Sequence, residues 1–361
     1  MKRLLLVVLV FAYAMNGNTQ SPVRIAIAGL SHGHVGWIFN RSDKKDTELV
    51  GVYEKDPQLV DEFITRYSLR RELFYTDLNR MLDEVRPQAV AAFGPINEHI
   101  TLVRAAAPRK IHVMVEKPLA TTFDDAKEIQ SLAMKNAIQV LTNFETSWYA
   151  SNQYVNDLVV QGKLGAIRKV MVNDGHQGPK EIGVSEAFFD DLTDPVKNGG
   201  GALIDFGCYG ANLMTWLMKG ARPLSVTAVT HQNKPDIYKN VEDEASILLQ
   251  YPKAQCIIQA SWNWTFSRKD MEVYGTQGYA MAVDATRVRQ RLDGKRPEES
   301  LTLDPRPDPF TDPFSVLAQV VNGQLKLEEN DLYGLKINVI AVEILEAARA
   351  SARQKKTIKL K

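Results

Sequence analysis

The chain has 361 residues, 45% of them hydrophobic and 24% charged, with a formal net charge of +1. That length asks for two domains, and so neutral a balance supplies no field to draw nucleic acid or an anionic membrane. Two cysteines, Cys208 and Cys256, exclude a disulfide framework while leaving room for one bridge, and with no zinc or calcium motif no metal is expected.

The first residues stand apart. Lys2-Arg3 precede the apolar run 4–15 and the polar stretch 16–20, with Ala12-Tyr13-Ala14 as a small-x-small cleavage site. That order is a secretory signal peptide, too short to span a bilayer. Residues 1–20 are therefore set aside, and the mature protein is expected in the periplasm or secreted, with no membrane segment. A lone Lys2-Arg3 is not a twin-arginine signal, so export in a folded, cofactor-loaded state is not indicated.

Residues 23–28 read as a strand running into a turn at Gly29, with a helix opening over 30–37. A second strand, 49–53, closes at Glu54 and leads to a helix over 57–67. Thr76 is expected to cap a helix through Leu82, with Asp77 in its first turn. A third strand, 89–93, ends at Gly94-Pro95 and precedes a helix over 97–107. Val113-Met114-Val115 is a fourth, apolar and β-branched, and it ends on Glu116-Lys117-Pro118. Proline cannot continue a central strand and restricts Lys117 to extended conformations. A threonine-capped helix over 122–136 and a fifth strand, 138–142, complete the run. Alternating strands and helices with short connections make a parallel, doubly wound sheet, whose ligands bind outside the carboxyl ends of the strands. Lys117 stands at such an end.

After Asn143 the rhythm changes. A helix over 151–161 leads to a strand over 167–173. Strands over 225–230, 245–251, 254–262, 271–274 and 280–283 follow, joined in places by tight turns. They make a largely antiparallel sheet, one face buried and the other free for a partner. The basic clusters at 287–291 and 355–356 read as solvated surface. A last helix spans 332–353, and 357–360 is a candidate edge strand. The fold class is thus α/β, with a doubly wound parallel sheet in a first domain (21–145) and an α+β second domain (146–361) built on a large, mostly antiparallel sheet.

The turn after the first strand is where a dinucleotide pyrophosphate would sit. Only the first glycine of G-x-G-x-x-G is kept: Gly29-Leu30-Ser31-His32-Gly33-His34 puts Ser31 and His34 at the other two positions. Ser31 can donate to a phosphate, and Gly33 and Gly36 can supply room. His32 and His34 stand either as phosphate donors or as exposed turn residues. Glu54, 25 residues past Gly29, suits the ribose hydroxyls of NAD and repels the extra phosphate of NADP, although Lys55 follows it. The cofactor is thus NAD or NADP, with NAD favoured.

The second distinctive stretch is Gly199-Gly200-Gly201-Ala202-Leu203-Ile204-Asp205-Phe206-Gly207-Cys208-Tyr209-Gly210-Ala211-Asn212. On one helix Asp205 and Tyr209 would share a face, and Asn212 would continue it. A lysine beside a tyrosine stabilises the phenolate and lowers its pKa. Tyr209 would then take a hydroxyl proton as hydride leaves the carbinol carbon, with Asp205 holding the substrate or orienting Lys117.

These stretches together resemble the Gfo/Idh/MocA oxidoreductases, a family that includes glucose-fructose oxidoreductase and inositol dehydrogenases. Glu116-Lys117-Pro118 matches the catalytic E-K-P. Residues 200–212 match G-G-x-L-x-D-x-G-x-H-x-x-D, with Tyr209 at the histidine and Asn212 at the last aspartate. Pro95 and His99 match the P-x-x-x-H element beside the nicotinamide. The resemblance implies a Rossmann domain, a mostly antiparallel C-terminal sheet that mediates homo-oligomers, and sugar-like substrates. It makes Lys117, Asp205 and Tyr209 the catalytic candidates, and Gly29, Ser31, His32, His34, Glu54, Pro95, His99, Glu116 and Lys117 the cofactor-binding ones. Asn143, His176 and Asn212 are candidate substrate contacts. The leading expectation is an exported, sugar-directed oxidoreductase with a tightly held cofactor. The alternatives are a glycosidase that oxidises its sugar transiently and a sugar-binding scaffold without chemistry.

Overall fold

The computed structural model describes residues 21–41 and 45–360. The signal peptide read at 1–20 lies outside the described residues. Among those described, no helix is long and apolar enough to cross a membrane.

The first sheet comprises β1 (Val23–Ala28), β2 (Thr47–Tyr53), β3 (Phe74–Tyr75), β4 (Ala89–Ala92), β5 (His112–Glu116) and β6 (Val140–Asn143), all parallel, in the order β3-β2-β1-β4-β5-β6. The order reverses at β1, and the crevice above that point is the switch point where such sheets hold ligands. The strands are apolar because helices cover both faces: Ile25, Ile27, Val90 and Val113 are all fully buried. Expected β4 and β5 fall within a residue or two of their places, while the two-residue β3 went unread. The expected cap at Thr76 moves one residue on. Asp77 is the cap, its carboxylate accepting the Arg80 N–H at 2.9 Å, and the helix is Leu78–Val85. The helix expected over 30–37 shrinks to Val35–Phe39, behind a turn that occupies 30–34.

The second sheet has nine strands. They are β7 (Ile167–Gly175), β8 (Ser225–His231), β9 (Glu244–Gln250), β10 (Gln255–Ser261), β11 (Arg268–Gly275), β12 (Tyr279–Ala282), β13 (Arg287–Arg291), β14 (Glu299–Thr302) and β15 (Ile358–Lys359). Their order is β14-β13-β12-β11-β7-β10-β9-β8-β15, antiparallel except where β10 lies parallel to β7. Helices Gly207–Leu217 and Leu335–Gln354 pack on one face, and the other carries the exposed side chains of Val229 and Leu248. The basic cluster at 287–291, read as solvated surface, is strand β13. Its arginines point out while Val288 and Gln290 point in. Cys208 and Cys256 are both buried and free, so no bridge forms between them.

Candidate active site

Lys117 leaves the carboxyl end of β5 through a cis peptide to Pro118 and is only 6% exposed. Its ammonium donates to the Asp205 carbonyl at 3.0 Å and to Asp205 Oδ1. A lone buried ammonium would shed its proton. Burial is the largest influence and pushes Lys117 that way, but the charge and hydrogen bond of Asp205, joined by Cys208 and Glu116, together outweigh it and hold the lysine cationic. Burial likewise favours the neutral Asp205 carboxyl, and Lys117 reverses this, keeping its pKa at about 2. The second oxygen, Oδ2, accepts the indole N–H of Trp262 at 2.9 Å.

The single helix expected to carry Asp205 and Tyr209 is broken at Phe206. Ala202–Asp205 is one short helix and Gly207–Leu217 the next. The break turns Asp205 onto Lys117 and seats Tyr209 above the same ammonium, 5.3 Å from its ring centre. Tyr209 is 1% exposed and meets Phe144 edge-on. The pKa lowering expected from Lys117 is not found. Burial, then Glu145, Cys208, Asp205 and Asp174, push the phenol well above its ordinary value, so it stands protonated. Asn212, expected at the substrate, turns away from it: its amide N–H groups go to the Leu332 carbonyl (2.8 Å) and Asn338 Oδ1 (3.0 Å).

The structure adds groups that sequence reasoning missed. Asp174, near the end of β7, sits opposite Lys269 of β11 in register. It follows Val170 and Val172 on the inner face, next to the helix that bears Tyr209. It is 1% exposed, and neither carboxyl oxygen has a hydrogen-bond partner. Burial, opposed by Lys269 and seconded by Asp270 and Glu145, pushes its pKa well above the carboxylate range. Lys269 lies over the Tyr209 ring at 5.1 Å and pairs with Glu145. His176, already expected as a substrate contact, follows on the same strand end, its ring edge-on to Phe206 and its Nδ1 accepting the Gly178 N–H at 2.9 Å. The alternation of β7 alone would have pointed to Asp174, an acid at an inward position.

On the cofactor side, Gly29 adopts φ +84°, and a Cβ there would stand 2.4 Å from the Gly94 nitrogen. No other residue fits this crossing of the turns after β1 and β4. Glu54 accepts the N–H groups of Leu30, Lys55 and Asp56, which ties the turn after β1 to the end of β2. His32 and His34 are neither exposed turn residues nor free donors. The His34 N–H donates to His32 Nδ1 at 3.1 Å, and His34 Nδ1 lies 3.0 Å from Glu116 Oε2. Burial drives the His32 pKa down to about 3. Burial alone would raise Glu116, but the two imidazoles and the Asn143 amide (2.7 Å) hold it at about 2. His32, His34 and Glu116 present ligand atoms within 4.8 Å of one another. The His34 N–H takes the Nδ1 lone pair of His32, so that ring's Nε2 carries the proton and the cluster is a hydrogen-bonded set. Asn143 is fully committed as well, since its Oδ1 accepts the Trp148 indole N–H at 3.0 Å. His99 is buried, with Nδ1 3.2 Å from the Leu119 carbonyl and Nε2 unpartnered.

Three comparisons with known proteins bear on this geometry. Residues 23–144 match the oxidoreductase family with an NAD-binding Rossmann fold, and residues 152–281 match the GFO/IDH/MocA C-terminal domain. The chain belongs to the GFO/IDH/MocA oxidoreductase family. Among curated relatives of this family member is the dTDP-3,4-didehydro-2,6-dideoxy-alpha-D-glucose 3-reductase of Saccharopolyspora spinosa. It is 27% identical over 64% of this chain and 65% of its own, just under two thirds of the reductase. Trans-1,2-dihydrobenzene-1,2-diol dehydrogenase of Bos taurus is 23% identical over 78% of this chain and 80% of its own. Among solved structures, an inositol dehydrogenase homolog from Azotobacter vinelandii complexed with NAD+ superposes with a TM-score of 0.80 at 20% identity, covering 94% of this chain and 98% of that one. Aldose-aldose oxidoreductase from Caulobacter crescentus complexed with glycerol gives 0.78 at 23%, covering 94% and 100%. At these identities the solved structures share the fold.

The first domain of this GFO/IDH/MocA protein fits the dinucleotide that its family binds. A cavity of ≈ 310 Å³ opens beside the turn after β1, lined by Gly29, Ser31, Tyr53, Glu54, Pro95 and Lys197 among others. A second, of ≈ 230 Å³, shares Tyr53 and Pro95 and reaches Leu78, His99 and Leu102. Toward Lys117 the cleft narrows to ≈ 20 Å³ under Phe188 and Asp191. Phe188 packs on His32 (4.4 Å between ring centres), and the Ser31 hydroxyl donates to Asp191 at 2.6 Å. Ser31, read as a phosphate donor, is engaged by the helix Glu186–Thr193.

Proposed function

We propose that this oxidoreductase is exported and transfers hydride at a hydroxyl or carbonyl carbon of a sugar or sugar derivative, using a tightly held NAD(P). The observation that carries this reading is the buried Lys117–Asp205 pair beneath Tyr209. It sets a charge-paired ammonium against a protonated phenol at the carboxyl end of β5, where the crevice narrows. When bound, the nicotinamide supplies the hydride donor or acceptor. Lys117 and Tyr209 hold the substrate oxygen. As a carbonyl is reduced, the Tyr209 phenol gives its proton to the forming alkoxide, and Lys117 stabilises the charge left on the ring oxygen. In the oxidative direction the same proton returns to Tyr209. Asp205 keeps Lys117 charged and aimed, and Trp262 keeps Asp205 in place. Asp174, a neutral acid without partners, takes a substrate hydroxyl, and the relatives that act on sugars and diols make a polyol the favoured class.

Tight retention is supported by Phe188, which packs on His32 and closes the narrow end of the cleft. It answers a difficulty of the leader 1–20, because a diffusing cofactor would not be regenerated outside the cytoplasm. Glu54 favours NAD over NADP. The exposed Val229 and Leu248 on the open sheet face support a homo-oligomer, checked by light scattering. The buried Asp174 carboxyl, with neither oxygen hydrogen-bonded and its pKa pushed upward by burial, also favours a second reading, in which a sugar is oxidised, loses its glycosidic substituent and is reduced again. Release of phenol from aryl glycosides without net change in NADH distinguishes it.

The deciding experiment is to denature the purified protein and identify any released NAD(H) or NADP(H) by absorbance and mass. Cofactor in near-stoichiometric amount is the expected result. No released cofactor, together with no binding on titration, overturns the proposal.

A further inference from the structure

The backbone N–H groups that would cradle a pyrophosphate are largely spent inside the protein. Gly29 N–H goes to the Tyr53 carbonyl, Leu30 to Glu54, His32 to the Phe93 carbonyl, His34 to His32, Val35 to the His32 carbonyl and Gly36 to the Gly33 carbonyl. The helix that follows, Val35–Phe39, has five residues, too few for a strong dipole. The neighbouring cavity is lined by Glu54, Asp56, Glu98, Asp190 and Asp191 against Lys55 and Lys197. A ligand that brings two negative charges needs help here.

Lys197 is the group placed to give it. It lines both the ≈ 310 Å³ cavity and the narrow cleft, between which a pyrophosphate must pass. Its carbonyl accepts the Asn97 N–H at 3.1 Å and its own N–H donates to Asp194 at 3.2 Å, so its backbone is anchored to the first domain's loop. Its ammonium meets Asp191 Oδ1 at 2.8 Å, while Ser31 donates to Oδ2 of the same carboxylate at 2.6 Å. One anion is thus held between a hydroxyl on the glycine turn and an ammonium across the cleft, the arrangement a phosphate would need.

We propose that Ser31 and Lys197 form a subsite for a cofactor phosphate, and that Asp191 fills it as an internal anion until the dinucleotide displaces it. The inference rests on the dinucleotide-dependent function above. It makes the helix Glu186–Thr193 a competitor before loading and a cover afterwards.

The two side chains have opposite signs in the test. On the full chain stripped of cofactor, dissociation constants are measured by calorimetry for the dinucleotide that the wild type releases, and for adenosine. Lys197→Met should weaken dinucleotide binding by about an order of magnitude, and Asp191→Asn should tighten it by a similar factor, with adenosine unchanged in both. Asp190→Asn, an exposed acid on the same cavity, should have a clearly smaller effect. Thermal melting of each variant guards against misfolding, and Lys197→Met alone still decides if Asp191→Asn is unstable. Weaker or unchanged binding by a folded Asp191→Asn, unchanged binding by Lys197→Met, or equal effects at Asp190 and Asp191, overturns the inference. If the wild type binds no dinucleotide at all, the function itself has failed instead.

Discussion

Trp262 occupies the one Asp205 oxygen that Lys117 leaves open, through an indole N–H bond of 2.9 Å to Oδ2. Both oxygens of the aspartate are therefore engaged before any substrate arrives, and its task is to hold Lys117. Trp262→Phe keeps most of the volume and removes the bond. Turnover should fall by about one to two orders of magnitude with little change in KM, since positioning errors act mainly on the chemical step. A purely structural tryptophan would lower the melting temperature and leave kcat of the surviving fraction intact.

Removing either member of the buried ion pair strands the other. Lys117→Met should cost about 3–5 kcal/mol of stability, and Lys117→Met combined with Asp205→Asn distinctly less. Denaturant titrations of the two single variants and the double variant measure the difference. Both variants that lack Lys117 should lose turnover by orders of magnitude. Tyr209→Phe removes only a hydroxyl. It should leave the melting temperature nearly unchanged while lowering turnover by about 10²–10⁴-fold.

Asp174 separates function from stability in the other direction. Its carboxyl is buried and unpartnered, so Asp174→Ala should be neutral or stabilising by about 1 kcal/mol. If the group binds a substrate hydroxyl, KM should rise by about tenfold or more at the same time. A destabilised variant with unchanged KM would contradict that role.

Acid should weaken the fold well above the pH at which carboxylates titrate. Burial lowers the pKa of His99 to about 4 and that of His32 to about 3, both from an ordinary 6.5. The unfolded chain binds these protons and the folded chain does not, so stability is fully present above 6.5 and drains as the pH falls toward 4 and 3. Between pH 7.5 and 5.0, His99 alone accounts for ~2 kcal/mol. Urea midpoints across that range should fall steadily, and His99→Gln should flatten the slope.

The parallel sheet was legible because its strands are short apolar runs separated by capped helices. The crevice followed from where those strands stop. Lys117, Asp205 and Tyr209 could be chosen because a charged strand end and a triple glycine are unusual in a buried setting. Their geometry could not, since the break at Phe206 depends on packing against the second sheet. Trp262 carried no signal of its own: a tryptophan after a strand is ordinarily core, and its partner lies 57 residues away. The cover formed by Glu186–Thr193 is one eight-residue helix, and its Asp191 acquires meaning only opposite Ser31. In β13 the alternation of Val288 and Gln290 with arginines is present in the letters, but three arginines in five residues give the composition of a solvated surface run.

The parallel pairing of β10 with β7 sets a timetable for the whole site. After β7 the chain runs through the helices of one face, enters β8 at the far side and returns by hairpins to lay β10 alongside β7. Two strands running the same way deliver His176 and Trp262 to one rim, over the helix end that carries Asp205. Lys117 must wait for a partner 88 residues later, and that partner for a tryptophan later still. Closure over such separations comes late in folding. The lysine pair, with the tryptophan that fixes it, is therefore complete only once the second sheet is.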